Sequence, residues 1–366
     1  MVTLNKHIVA WVWMVAILFV VIIQIPVTPI VGDNFQIMFI WGVTLVFSAY
    51  VALTVNLWMG LFLLLVAVSA HYPISTQYSF EARMMVLFGV LWYYLSFRIL
   101  KNERYQKWAL NLLCVIGIAN AVFLIFQYFG IDPIHHRIEP RWSTTPNYCV
   151  GFMARSSGAS MMLALSFIAF LRKKWCWFLP LIGIGFIIAH TFVGPLAVAV
   201  ALFVYCLWSM RGLIRKTAVG VAFALLLASY AIFIDRPDTT WRWTIWKSAL
   251  FEMYPQHWIM GNGIGHWQIT YANPQITKRT YLHRAAQAHS DPIQGLFEMG
   301  IFFPVIVCGY FINIYRRYRP EALYSLLAFI IIGVCSLVFF PFHVVPLAMV
   351  SLTWMALLQV KLAKNN

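Results

Sequence analysis

Charge is scarce in this chain. Of its 366 residues only 10% are Asp, Glu, Lys or Arg, and the two acids together number 11. A soluble domain of this size needs more polar surface to face water. Paired cysteines are also lacking. Cys114, Cys149, Cys176, Cys206, Cys308 and Cys335 form no C-x-x-C unit, so neither a disulfide framework nor a zinc site is indicated. No H-E-x-x-H occurs, and the adjacent pair His135-His136 has poor geometry for chelation by both rings. Strands alternating polar with apolar residues are missing, which disfavours an outer-membrane barrel. There is no internal repeat, and no matching pair of Gly/Pro-broken spans of the kind transporters carry.

What is present is apolar. The sequence is 62% hydrophobic with a mean hydropathy of +0.79, and runs of about 17–25 apolar residues recur along it, the length a helix needs to cross a bilayer. This predicts an all-α, polytopic integral membrane protein with about twelve spans. They are expected at 8–26, 35–54, 57–71, 83–99, 108–130, 151–171, 175–189, 191–210, 217–234, 293–315, 321–339 and 344–360. The run Ile8 to Ile25 follows Lys6, but no small-residue cleavage site follows it, so it reads as the first span. Three regions result: an N-terminal bundle over 1–234, an outer loop over 235–292 and C-terminal spans over 293–366.

The net charge is +15. Most cations sit in short clusters between spans: Arg98/Lys101/Arg104/Lys107, Arg172/Lys173/Lys174, Arg211/Arg215/Lys216, Arg316/Arg317/Arg319 and Lys361/Lys364. Alternate threading puts all of these on one side with Lys6, the mark of cytoplasmic loops. No basic face with interleaved aromatics lies outside the membrane, so no nucleic-acid partner is expected. Some cations break the rule. The expected outer loop carries Arg236, Arg242, Lys247, Lys278, Arg279 and Arg284; an earlier one carries Arg137 and Arg141, and Arg155 begins the sixth span. Positive charge kept on the outer face suits an anionic ligand, and Arg is the side chain best matched to phosphate.

Three motifs lie in or beside that loop. In 238–253, Trp243, Trp246, Leu250 and Met253 share one helical face, with Arg242 and Lys247 off the stripe. This reads equally as an interfacial helix with a tryptophan belt or as a helix aiming Arg242 at a lipid-linked phosphate. Gly261-Asn262-Gly263-Ile264-Gly265-His266-Trp267 reads as a tight turn, or as an amide nest open to an anion through Gly263 and Gly265. Without the full dinucleotide pattern or a strand before it, it is no Rossmann turn.

The third motif is Ala288-His289-Ser290-Asp291-Pro292-Ile293-Gln294, leading on to Glu298 and Gly300. Asp291 is expected to cap a helix, with Pro292 first in it and Gln294 completing a capping box. His289 then stands just outside the positive end of a helix dipole, which favours a neutral, proton-accepting imidazole. Glu298, two turns on, reads as a structural hydrogen-bonding carboxylate rather than a catalyst. His190 is expected to open the eighth span as a helix-end residue.

These motifs resemble those of the O-antigen ligase and O-antigen polymerase superfamily of bacterial membrane glycan transferases. The run Ala288-His289-Ser290 through Leu296, Glu298 and Gly300 is similar to that family's A-H-N/S-x-x-L…E-x-G signature. The glycine turn is similar to its G-x-G-x-G-aromatic turn, and Arg242 with Trp246 to its R-x-x-x-W helix. Thr145-Pro146-Asn147-Tyr148 looks like a further family motif, and the resemblance covers roughly 140–310. One departure stands out: the family's mid-chain Ser-Arg pair is replaced by His190-Thr191-Phe192-Val193-Gly194, leaving Arg155 as the candidate for that charge.

The resemblance implies a fold like that of class C glycosyltransferases in the bacterial inner membrane, with the active site facing the periplasm. The implied donor is a glycan on undecaprenyl diphosphate. The implied acceptor is a hydroxyl of lipid A–core, of another glycan or of a protein, among membrane lipids, with no cofactor and no metal. His289 would be the catalytic base. Arg242, with Arg155, Arg279, Arg284, Gly263 and Gly265, would bind substrate, and Asp291 and Glu298 would be supports. Polymerisation of repeat units and protein (pilin) O-glycosylation remain alternatives. A flippase or transporter would need ionisable residues deep in the spans, and those are scarce here.

Overall fold

The computed structural model describes residues 6–22, 61, 62, 65, 76–131, 149, 151–153, 156–171, 175–209, 212, 217, 220, 242, 245–247, 249, 250, 257–267 and 288–363. Among them there is no strand, and helix dominates. In chain order the helices are α1 (Lys6–Ile22), α2 (Thr76–Leu100), α3 (Glu103–Tyr128), α4 (Ser156–Phe170), α5 (Leu179–Ala189), α6 (Val193–Ser209), α7 (His257–Met260), α8 (Asp291–Met299), α9 (Phe302–Arg317), α10 (Leu323–Val338) and α11 (Val345–Ala363). Single 3₁₀ turns lie at Cys176–Phe178, Pro320–Ala322 and Pro341–His343.

Three segments are long and apolar enough to cross a membrane: Glu103–Tyr128, Pro320–Val338 and Val345–Ala363. Shorter apolar helices accompany them at His7–Ile17, Met85–Leu100, Ser156–Phe170, Cys176–Ala189 and Val193–Leu207. These fit an all-α membrane protein. The expected spans at 35–54 and 217–234, and most of 57–71, lie outside the described residues apart from isolated positions.

Two expectations need correction. The run 293–315 is not one helix: the chain breaks at Gly300 into α8 and α9. His190 is a helix-end residue as expected, but it closes α5 rather than opening the next helix, in a left-handed conformation with φ 47°. There its N–H bonds to the Ile187 carbonyl, an ordinary C-cap use of that backbone region.

Local chemistry explains where α3 begins and ends. The Asn102 side chain accepts from the Arg104 N–H at 2.9 Å, and Glu103 complements the positive end of the helix. At the far end Gly130 donates to Gln127 and Ile131 to Phe126, a Schellman closure.

The core is a layered bundle. α2 packs along α11, α10 along α6, and α3 against α4 and α5. α4 is buried on nearly every side. Small residues let its neighbours approach: Gly117 faces Ser166, Gly185 faces Leu163, and the Gly194 N–H donates to Ser160 Oγ. Several polar groups inside are paired. Asn120 joins Ala159 and Phe152, and the Trp13 indole donates to Ser96 while stacking on Trp92. The Trp92 indole in turn donates to Met349 and Thr353 of α11.

The bundle has two unlike ends. His7 bonds to Tyr105, which brings the start of α1 to the Arg98/Lys101/Arg104/Lys107 group at the α2–α3 junction. α3 runs from that group to Gln127, whose side chain pairs with Gly151 just before α4. Gly158 of α4 then lies beside Leu347 at the start of α11. The other end of α11 packs, through Leu358 and Leu362, on Ile314 and Ala322, which gathers Lys361 with Arg316, Arg317 and Arg319. The described basic clusters thus occupy one end. The turn at 340–343 and α8 occupy the other.

Candidate functional site

At that second end the chain stops being regular. Ser290, not Asp291, is the N-cap residue of α8, with extended backbone and no side-chain capping bond. Asp291 is the first helical residue and Pro292 the second. The expected capping box is therefore absent, and its two members are used differently. The Gln294 carbonyl accepts the Ala288 N–H at 3.2 Å, and its amide donates to Glu298 Oε1 at 3.1 Å. The Asp291 carboxylate turns sideways to His343, 2.9 Å from Nδ1, and lies within 3.5 Å of the Phe342 N–H.

His289 sits in the left-handed region at φ 55°, in the last loop residue but one before α8. A non-glycine residue there costs about 1–3 kcal/mol and persists only where surroundings enforce it. Two contacts frame it. The carbonyl of the preceding Ala288 accepts from the Trp246 indole at 2.6 Å. The His289 ring stands edge-on to Phe340, centroids 5.0 Å apart.

The 242–250 segment is helical where it is described, and it seats its apolar face here. Ala249 and Ile245 pack with Trp267, Ala288, Ile293 and Phe297. Lys247 is exposed. Arg242 Nη1 donates to the Val338 carbonyl at 2.9 Å, at the C-terminus of α10, where carbonyls lack helical partners and the dipole is negative. That bond positions the guanidinium beside the turn that carries Phe340 and His343.

The glycine turn is stitched to α8. Asn262 N and Nδ2 both donate to the Phe297 carbonyl, at 2.9 and 3.1 Å, and Gly263 N donates to Glu298 O at 2.9 Å. His257 Nδ1 contacts Asn262 Oδ1. Ile301 N donates back to Trp258 O at 2.8 Å. Gly261 has φ 75°, and a Cβ on it would stand 2.2 Å from Glu298 O. Gly300 has φ 69°, and its Cβ would stand 2.2 Å from Ile259 O. Only glycine lets these two backbones cross so closely. The crossing satisfies irregular backbone that a bilayer would not tolerate unpaired.

Glu298 is the buried charge-bearing centre of this stitching. Its carboxylate accepts the Gln294 amide and backbone N–H groups of Gly265 and Trp267, the latter at 3.4 Å. Burial pushes its pKa up. The His343 charge and those hydrogen bonds pull the other way without cancelling the burial. So the anion that the glycine-turn amides face is the protein's own carboxylate. Nearby, burial lowers the His266 pKa, with the His257 charge adding to it.

The structure therefore brings together His289, Arg242, Gly263, Gly265, Asp291 and Glu298. Arg155, Arg279 and Arg284 lie outside the described residues. Sequence reasoning did not single out Phe340 or His343. Both fall in the expected outer segment 340–343, on the same side as His289, and that shared side was the available signal. Among the described residues, no three His, Cys, Asp or Glu side chains gather in a way that could hold a metal ion. A scan of protein-family models finds no match for this chain, and a search of curated proteins finds none either.

Proposed function

We propose that this chain is a membrane glycan transferase of the O-antigen ligase type. It moves a glycan from undecaprenyl diphosphate to an acceptor hydroxyl, that of lipid A–core, at the periplasmic face of a bacterial inner membrane. The observation that carries the reading is convergence. The three segments with the family-like motifs, 242–250, 261–267 and 288–300, meet at the end of the bundle remote from the described basic clusters.

The chemistry asks for two groups. The acceptor O–H gives its proton to a base as its oxygen bonds to the anomeric carbon, and the bond from that carbon to the diphosphate oxygen breaks. The electron pair leaves on undecaprenyl diphosphate, whose added negative charge needs cations. His289 is the base, or orients the acceptor, from a backbone position held by Trp246 and Phe340. Arg242 binds the diphosphate. Glu298 and Gln294 hold the backbone beneath them.

The test is transfer in proteoliposomes containing undecaprenyl-diphosphate-linked glycan and lipid A–core. His289→Ala should lose roughly 10²- to 10⁴-fold in rate with the protein still folded. Arg242→Ala and Arg242→Lys should both weaken donor use, because a point charge does not replace a planar fork. Near wild-type transfer by His289→Ala would remove the base assignment. Unchanged donor affinity in both Arg242 variants would remove the phosphate role.

A further inference from the structure

We propose that the Asp291–His343 contact is a positioning clasp for His289: it fastens the 341–343 turn to the first residue of α8 and so fixes Phe340, the ring against which His289 stands. The consequence for transfer rests on the role proposed for His289, but the clasp itself does not.

The geometry is a closed circuit. Asp291 is two residues after His289, and Phe340 is three before His343. The 2.9 Å Asp291–His343 contact closes one side, and the 5.0 Å His289–Phe340 ring contact closes the other. Phe340 also lies 6.4 Å, edge to face, from the His343 ring and stacks on Phe339 at 4.5 Å, so the ring cannot shift independently of the turn. The Phe342 N–H adds a weak second tie to Asp291. A carboxylate on Nδ1 fixes the orientation of the imidazole and stabilises its protonated form.

The charged groups that act on His343 are carboxylates. From α8 come the Asp291 and Glu298 carboxylates. The described start of α11 offers no ionisable side chain. Burial works against protonating His343, yet the hydrogen bond and charge of Asp291, with the charge of Glu298, outweigh it and raise the pKa above 6.5. The side chain keeps 31% of its surface exposed, so solvent protons reach it. The clasp is strongest while His343 holds its proton, and it weakens as pH rises through the raised value. His343 acts through Phe340 and His289 as a positioning residue.

The test uses the full chain in lipid nanodiscs with histidines labelled at the ε1 carbon, signals being assigned by His289→Gln and His343→Gln. In the wild type the His289 signal should shift with the same midpoint as His343. Asp291→Asn should lower the His343 midpoint and carry the His289 response down with it, and His343→Gln should abolish that response. A His289 signal that ignores the His343 titration, or that keeps its midpoint in Asp291→Asn, overturns the clasp. If His343→Gln fails to fold, the wild-type and Asp291→Asn titrations decide alone. In the transfer assay His343→Gln should lose on the order of 10- to 100-fold, the cost of a base misplaced by about 1 Å. Coupled histidine signals with no transfer in the wild type would support the clasp and sink the proposed function. Transfer with uncoupled signals would do the reverse.

Discussion

The two ends of this molecule are built by different means. The bundle of α2 to α6 with α10 and α11 is held by area: apolar faces, small residues at crossings and a few internally paired polar groups such as Asn120 and Trp92. The end formed by α7, α8 and the 340–343 turn is held by particular atoms. Backbone strands cross at Gly261 and Gly300, a buried carboxylate gathers donors, and a histidine occupies a left-handed backbone position. The difference teaches where change is tolerated. Packing by area forgives conservative substitution away from its glycine contacts such as Gly194, whereas a left-handed backbone crossing with no room for one carbon does not.

Substitutions sharpen that contrast. Gly261→Ala should have the largest effect, about 3 kcal/mol or more of lost stability, from positive φ and a Cβ against Glu298 O. Thermal unfolding in detergent measures it, and a small change would mean the crossing is not rigid. Trp246→Phe comes next. It strips the indole bond from the buried Ala288 carbonyl at about 1–3 kcal/mol and should release His289 from its backbone position. Chemical modification of His289 should then run faster.

Glu298→Gln should cost less and change a slope. Because the folded pKa of Glu298 is raised above 4.5, the folded state holds that proton longer than the unfolded state does. Wild-type stability therefore falls as pH climbs from about 4.5 through the raised value, and the Gln variant should not show that fall. A pH–melting profile unchanged by the substitution would count against a buried, neutralisable carboxylate. Least of all, Gly183→Ala in α5 meets open space and should be neutral or stabilising by up to about 1 kcal/mol. A loss as large as that of Gly261→Ala would erase the distinction between the two ends.

Much of the bundle was legible in the sequence because apolar length is a local property. The spans expected at 83–99, 108–130, 191–210 and 344–360 overlap α2, α3, α6 and α11, though α2 begins at Thr76 and α3 at Glu103. The break inside 293–315 was less visible. Gly300 alone does not end a helix, and it does so here because Ile259 passes against it. That His289 stands just before a helix start was legible. Asp291 was misread as a cap, since its residue type suits a cap equally well and only His343, fifty-two residues on, draws it aside.

The sequence by itself determined an apolar helical chain, short basic clusters between its apolar runs and a polar, glycine-marked stretch ahead of α8. Those follow from composition and spacing, which act within a turn or a span. Only the tertiary structure decided that the glycine-turn amides face Glu298, that Arg242 reaches the end of α10, and that Phe340 and His343 stand beside His289. Each of these joins residues far apart in the chain, through hydrogen bonds and ring contacts a few ångströms long, which no local pattern records.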